Sequence, residues 1–412
     1  MTEKQSEQVS VLMVGIGGYG FYYLKTLFEE FPPERIKLVG VVDPFAGKTG
    51  HYNEIMKRGI PVFPAIEDFF ENGYSADLTV ISSPVHFHVP QSCTALKHDS
   101  NVLCDKPAGI TIQEVNDLIS VRNASDKWVM IGYQWSFSQA IQSLKRDVIK
   151  GLYGKPVRLK TLCYWPRDDA YYQRNNWAGK KKDNEGGWIL DSPANNAMAH
   201  FLHNLFYVLG EEIHLSARPK EVTAELYRAY SIENFDSVAC RILTLDGTEL
   251  LFYASHAIFA DKGPIFNFEF ENAVISYGEF SEEIIATDRK GNKINYGSPD
   301  ADHQFLKLFE AVKSVNNPKP IICGPEAAYS QTLCVNGIQE SVPDIPTFPE
   351  SMIQREEKKR RCWIKGFDRV LYNCYQEAIL PNEANLPWSK KGKSVNLCHY
   401  NYFPGGVFPN DL

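Results

Sequence analysis

The chain opens on a short apolar run, Val9 to Ile16, then glycines, then an amphipathic stretch from Phe21 to Phe31. Ile36 to Val42 is the next apolar run and ends at Asp43-Pro44. Two more end at Ile81-Ser82-Ser83-Pro84 and at Cys104-Asp105-Lys106-Pro107, and Trp128 to Gly132 is another. Helix-like spacing fills the gaps, as in Ile112 to Val121. Short, continuous apolar strands alternating with helices predict a parallel sheet covered on both faces. Residues 1–135 therefore read as a doubly wound α/β domain of Rossmann type.

The pattern changes after about Ser136. Val157 to Trp165 alternates like a half-exposed strand, and Phe266 to Glu271 alternates again. Val238–Leu245 and Thr248–His256 flank Asp246-Gly247, a two-residue hairpin signal. Phe305, Leu308, Phe309 and Val312 share a helix face, and another helix is expected after Pro325. Residues 136–349 are thus expected to form an α+β domain, a largely antiparallel open sheet with helices on one face. Residues 350–412 read as an extension, a charged helix from Ile353 to Cys374 and then an aromatic, Pro/Gly-rich end. The acid-then-base order of Glu356 to Arg361 predicts i,i+4 pairs on an exposed helix rather than a nucleic-acid patch. Trp388, Tyr400, Tyr402, Phe403 and Phe408 predict packing on the same chain or on a second subunit.

Composition narrows the class. A length of 412 residues suits more than one domain. A net charge of −7 argues against nucleic-acid and membrane-surface partners. No apolar run approaches the ~20 residues that span a bilayer. Met1 to Ser10 is polar and shows no signal core. The nine cysteines are scattered without metal-ligand spacing, so free thiols in a reducing, cytoplasmic setting and no metal are expected.

Gly15-Ile16-Gly17-Gly18-Tyr19-Gly20 fits G-x-G-x-x-G between a strand and a helix. Gly15 permits the tight turn, Gly17 lets backbone approach a pyrophosphate, and Gly20 lets helix pack close to strand. The diphosphate would then sit on amides at a helix N-terminus. Asp43 lies ~20 residues on, where a carboxylate takes the adenosine ribose hydroxyls. It would repel a 2′-phosphate, so NAD is favoured over NADP as cofactor.

Three further segments carry a family resemblance. Ser82-Ser83-Pro84-Val85-His86-Phe87-His88 is similar to the T-P-N-x-x-H turn of the glucose–fructose oxidoreductase/inositol dehydrogenase (Gfo/Idh/MocA) family. Asp105-Lys106-Pro107 resembles its E-K-P, and Gly186-Gly187-Trp188-Ile189-Leu190-Asp191 its G-G-x-L-x-D. The likeness runs from about Val9 to about Thr347. It implies an NAD(P)-dependent dehydrogenase of sugars, inositols or related polyols. It also implies a homo-oligomer, dimer or tetramer, formed through the antiparallel sheet. Asp105 stands where the family's glutamate bonds the nicotinamide ribose, and Lys106 where it has its catalytic lysine. Ser83, Pro84 and His86 fall on the turn beside the cofactor, and Gln134 is a further cofactor residue. His88 reads better as a helix-start histidine bonded to backbone than as a catalytic group.

The family usually carries Asp-x-x-x-His. The same spacing from Asp191 lands here on Asn195, whose amide can hold a hydroxyl but cannot take its proton. On a helix His200 would stand ~140° and His203 ~80° around from that position, so neither simply substitutes. Lys106 is left as the proton-transfer group, with Asp191 and Asn195 positioning substrate.

The loop from Tyr164 to Lys182 is rich in aromatic and hydrogen-bonding groups, among them Trp165, Arg167, Tyr171, Tyr172, Arg174, Trp177 and Lys180 to Lys182. One reading is a pocket for a polar, acidic carbohydrate, with Trp165, Arg167, Tyr172 and Trp177 on the substrate. The other is a solvated basic loop anchored to its own domain. Two further functions stay open: a non-catalytic NAD-binding regulator, and a glycoside hydrolase using tightly held NAD.

Overall fold

The computed structural model describes residues 8–317 and 319–405, so Phe408 lies outside the described residues. Its first sheet has six strands: β1 (Val9–Val14), β2 (Ile36–Val42), β3 (Val62–Phe63), β4 (Leu78–Ile81), β5 (Asn101–Cys104) and β6 (Val129–Ile131). All pair in parallel, in the order β3-β2-β1-β4-β5-β6. β4, β5 and β6 are buried along their whole length, which explains why they read as unbroken apolar runs. The connecting helices are α1 (Gly20–Glu29), α2 (Tyr52–Lys57), α3 (Ile66–Glu71), α4 (His88–Lys97), α5 (Ile112–Asn123) and α6 (Gln134–Phe137). Strand order reverses between β1 and β4, and ligands of such sheets bind in the crevice beyond the carboxyl ends at that point.

Two compact units make up the chain, and neither is continuous in sequence. The first runs to Gly109 and takes in Glu114–Phe137 and Asp302–Ala328. The second holds Ile110–Gln113, Ser138–Ala301 and the chain from Tyr329 onward. This differs from three consecutive blocks at 1–135, 136–349 and 350–412. The stretch around residue 306 returns to the first unit because it buries Lys307, Leu308 and Ala311 in a helix that packs on α6, β1, β4 and β5.

In the second unit the helices are α7 (Gln139–Ile149), α8 (Asp169–Gln173) and α9 (Ala199–Tyr207). The returning helix of the first unit is α10 (Leu306–Asn316), followed by α11 (Pro325–Ser341) and α12 (Phe367–Glu377). The large sheet contains β7 (Pro156–Tyr164), β8 (Pro219–Tyr227), β9 (Ser237–Thr244), β10 (Glu249–Ser255), β11 (Lys262–Phe270), β12 (Ala273–Tyr277), β13 (Ile285–Asp288) and β14 (Lys293–Asn295). Two short strands, β15 (Ile353–Glu356) and β16 (Arg361–Ile364), form a separate ribbon, and β17 (Val395–Asn396) adds to the edge beside β8. The nine-stranded order is β14-β13-β12-β11-β7-β10-β9-β8-β17. Only β7 and β10 pair in parallel, so the sheet is mixed and mostly antiparallel. The Asp246-Gly247 turn joins β9 to β10 with Gly247 at φ +90°, a conformation open to glycine.

Two local expectations are corrected and a third is narrowed. β7 is not half-exposed: it is buried from Leu159 through Tyr164, so both its faces are covered rather than one. Leu162 and Tyr164 share a core with Leu371, Cys374 and Tyr375 of α12, and α9 also packs on β7. The charged run at 356–361 is a hairpin, not a helix, and its Glu356–Lys359 and Glu356–Arg361 pairs close the turn. Ile353, Cys362 and Ile364 point into the core, and Arg360 adopts the left-handed conformation that reverses the chain. The aromatic end packs on its own chain. Trp388 lies against Tyr227, Phe348 and Phe367, Phe403 against Trp188, and the Tyr400 hydroxyl donates to Glu340, while Tyr402 stays exposed.

Candidate functional site

In the first unit the turn after β1 is built by close backbone approach. Gly15 has φ +77°, and a Cβ there would lie 2.7 Å from the Ser83 amide nitrogen at the end of β4. A Cβ on Gly20 would lie 2.0 Å from the Gly15 carbonyl oxygen. Gly17 and Gly18 are different: both are exposed, and a Cβ on either meets nothing within 4 Å. Helix–strand contact thus demands glycine at positions 15 and 20, whereas positions 17 and 18 leave an open cradle at the start of α1. That is the arrangement a diphosphate needs. Asp43 anchors the loop. Its carboxylate accepts from the Ile16 amide (2.9 Å) and the Phe45 amide (2.8 Å). Tyr19 stacks on Phe305 and accepts from Gln304.

The β4 turn is held from below. Buried His88 sits between two carbonyls, Nδ1 2.9 Å from Pro107 and Nε2 3.0 Å from Ser83; the neutral ring donates to one of them and packs between the β4 and β5 loops. Burial lowers its pKa, and its role here is structural. The Ser83 hydroxyl donates to Gln91, Pro84 is exposed, and His86 is half-buried beside Phe87. Asp105 and Lys106 follow β5 at half-buried positions, and the Lys106-Pro107 peptide is cis. Gln134 is the half-buried first residue of α6. Sequence reasoning missed the partner of Asp105, Lys307, whose Nζ is 3.0 Å from Asp105 Oδ1. Lys307 lies next to Leu308 in a helix that the sequence marked only by its apolar face.

In the second unit, Asp191 is buried and both its carboxylate oxygens accept a hydrogen bond. Its carboxylate accepts from the Gly179 amide (2.6 Å) and Asn196 Nδ2 (2.8 Å), and Arg174 stands 4.0 Å away. Asn195, the residue chosen by spacing, turns elsewhere: its Nδ2 donates to the Leu190 carbonyl at 3.3 Å. The Asn195 carbonyl oxygen is buried without a hydrogen-bond partner. The angular comparison with His200 and His203 does not apply, because the chain from Ser192 to Met198 is a run of turns and the helix starts only at Ala199. His203 lies buried on the Tyr207 ring, its pKa held well below normal by burial and then by Lys145.

The loop after β7 contains both a polar cluster and anchoring contacts. Tyr171, not Tyr172, stands among the arginines: the guanidinium carbons of Arg174 and Arg167 lie 3.6 and 4.8 Å from its ring centre. Arg174 also reaches Trp177 (5.1 Å), and Arg167 reaches Trp165 (5.9 Å). Tyr172 packs inward on Tyr230 instead. The three lysines serve as anchors: Lys181 donates to the Pro343 carbonyl, Lys182 sits over Trp188, and Lys180 bonds Asn184. A residue not singled out from the sequence completes the cluster. Buried His256 bonds the Trp165 carbonyl through Nδ1 (2.7 Å), and its Nε2 has no hydrogen-bond partner. Burial, then Arg167, holds its pKa down to about 3, so the ring is neutral and Nε2 is an acceptor. Nothing in the loop's composition separated His256 from an ordinary strand-end residue.

Residues 9–133 match the model of an oxidoreductase family with an NAD-binding Rossmann fold, GFO_IDH_MocA. This N-terminal segment is similar to the Gfo/Idh/MocA family. Over 155 residues the chain is 29% identical to the inositol 2-dehydrogenase of Rubrobacter xylanophilus, covering 37% of this chain and 43% of that protein. The scyllo-inositol 2-dehydrogenase (NAD+) of Bacillus subtilis is 24% identical, over 37% of this chain and 44% of that protein. The chain thus spans less than half the length of these Gfo/Idh/MocA relatives. Solved structures extend the likeness in fold. The WlbA dehydrogenase of Bordetella pertussis, in complex with NADH and UDP-GlcNAcA, superposes with a TM-score of 0.65 at 14% identity. That match covers 82% of this chain and 97% of that one. The apo scyllo-inositol dehydrogenase of Lactobacillus casei gives a TM-score of 0.62 at 15% identity, covering 82% and 96%. Among the described residues no cluster suits a metal ion, and no helix is long and apolar enough to cross a membrane.

Proposed function

We propose that the chain is an NAD-dependent oxidoreductase acting on a secondary alcohol or ketone of a sugar, inositol or sugar-acid-like molecule. The observation that carries this reading is the open glycine cradle at the β1–β4 reversal with Asp43 fixed beside it. Gly15, Gly17, Gly18, Tyr19, Gly20 and Asp43 would hold the adenosine diphosphate half. Ser83, Pro84, His86, Asp105 and Gln134 would hold the nicotinamide half. Relatives named for inositol oxidation, and neighbours solved with NADH and a sugar-nucleotide acid, support the substrate class. The nicotinamide ring, when bound, supplies or accepts the hydride.

The remaining work falls to the chain's own side chains. Lys106 is the proton-transfer group: an ammonium can donate to a forming alkoxide, and a lysine with lowered pKa can take a hydroxyl proton. Asp191 and Asn195 position substrate by hydrogen bonds and take no proton. The aromatic rings of Trp165 and Trp177 face a hydroxylated ring, and Arg167 takes an anionic group on it. Nine free thiols suit a reducing, cytoplasmic compartment.

A thermal-shift screen of sugars, inositols and sugar acids, with and without NAD+, tests the proposal. A stabilising hit that requires NAD+ and then yields reduced nicotinamide is the expected result. An NAD+-dependent hit with no reduction would favour a regulator, the reading that the amide at position 195 supports. No association with either NAD or NADP would end the proposal.

A further inference from the structure

Asp105 is one half of a buried ion pair whose other half comes from the far end of the first unit. Lys307 Nζ lies 3.0 Å from Asp105 Oδ1 and 3.1 Å from the Gly132 carbonyl oxygen. The lysine side chain is 1% exposed and the aspartate 13%. Rings close the ammonium in: the centres of Tyr19, Tyr23 and Phe305 stand at 5.0, 5.1 and 6.0 Å. The fit is tight, since a Cβ on Gly132 would lie 2.8 Å from Asp105 Oδ1 and 3.1 Å from Lys307 Nζ. A buried charge is retained where it is paired and bonded, and here each partner answers the other.

We propose that Lys307 is a positioning and charge-setting residue for the cofactor site, and that it levels the site's affinity for the oxidised and reduced forms. The inference rests on the reading that Asp105 stands beside the nicotinamide ribose. The oxidised ring carries a positive charge and the reduced ring none. A lone carboxylate would therefore favour the oxidised form, and a lone ammonium would oppose it. The pair presents no net charge, and its hydrogen bond fixes which way Asp105 turns. The lysine thus acts through Asp105.

Binding of NAD+ and of NADH, each titrated calorimetrically into the full chain at pH 8.5, tests this in a cycle of four proteins. Lys307→Met should lower the ratio Kd(NAD+)/Kd(NADH) by about tenfold, and Asp105→Asn should raise it by a similar factor. The double variant, neutral at both positions, should return to within about threefold of the parent. A folded Lys307→Met whose ratio stays within about twofold of the parent overturns the inference while NAD binding stands. Should Lys307→Met not fold, an unmoved ratio in Asp105→Asn overturns it equally. If the parent binds neither nucleotide, the NAD reading fails first and this inference goes with it.

Discussion

The Cα of Gly20 packs so close to Gly15 that a side chain at position 20 would need to pass through the Gly15 carbonyl, 2.0 Å away. Gly17, in the same motif, has no atom within 4 Å of its missing Cβ. Gly20→Ala is therefore expected to lower stability by at least ~2 kcal/mol, as overpacking against backbone does. Gly17→Ala is expected to melt like the parent but to bind NAD+ about tenfold more weakly, its methyl entering the cradle. Melting curves with and without nucleotide distinguish the two. A Gly17→Ala protein that melts early, or binds normally, contradicts the assignment.

Lys106, read as both a cofactor-site and a catalytic residue, is expected to move the proton and to contribute little to holding the dinucleotide. Lys106→Met should reduce turnover by about a hundredfold or more on whichever substrate the screen returns. Its Kd for NAD+ should stay within about threefold of the parent. Near-normal turnover would transfer the proton step to another group.

Much of the first unit was readable because its strands are buried on both faces and its turn depends on glycines that nothing else can replace. The Asp246-Gly247 hairpin was readable for the same reason, a backbone demand written in residue type. The hairpin at 353–364 was not. Its charges mimic helical i,i+4 pairing, while the inward residues that decide its form, Ile353, Cys362 and Ile364, are few and spread across the turn. Fixed spacing from Asp191 also did not reveal Asn196, because the segment is a run of turns in which Asn196, beside Asn195, meets the carboxylate. Lys307 and His256 escaped notice because their partners, Asp105 and the Trp165 carbonyl, come from distant parts of the chain.

His256 makes the second unit sensitive to acid. Its folded pKa, about 3, lies below the ordinary histidine value, with burial as the main cause and Arg167 and Arg174 adding to it. Below about pH 6.5 the unfolded chain gains a proton here that the folded chain does not. Stability is therefore present above that pH and is lost as pH falls toward 3, by at most ~1.4 kcal/mol per pH unit from this group. His203 in the same unit, and His88 in the first unit, are also buried with lowered pKa and act in the same direction. His256→Gln should shallow the dependence of melting temperature on pH between about 4 and 6.5. An unchanged slope would mean that the imidazole is reached by water in solution.

The extension after residue 352 covers part of one face of the large sheet, with α12 packed on β7 and β10. The Tyr253 hydroxyl of β10 lies 3.1 Å from the Cys374 carbonyl and 2.9 Å from the Ile379 carbonyl, and Tyr164 donates to the Asp368 backbone carbonyl (2.8 Å). Lys160 Nζ donates to the Gln376 carbonyl at 3.0 Å. Leu371 is wholly buried at the centre of this contact. Leu371→Ala is expected to cost 2–5 kcal/mol, roughly the range for a buried leucine whose site cannot collapse. Removing the chain from Ile353 onward would bare Leu162, Tyr164, Leu251 and Tyr253 together, an apolar patch that water does not tolerate. The truncated protein should self-associate or precipitate, while the full chain should show no association through this face in sedimentation. A truncated chain that stayed monomeric with an unchanged melting temperature would show that α12 only rests on the sheet and does not hold it.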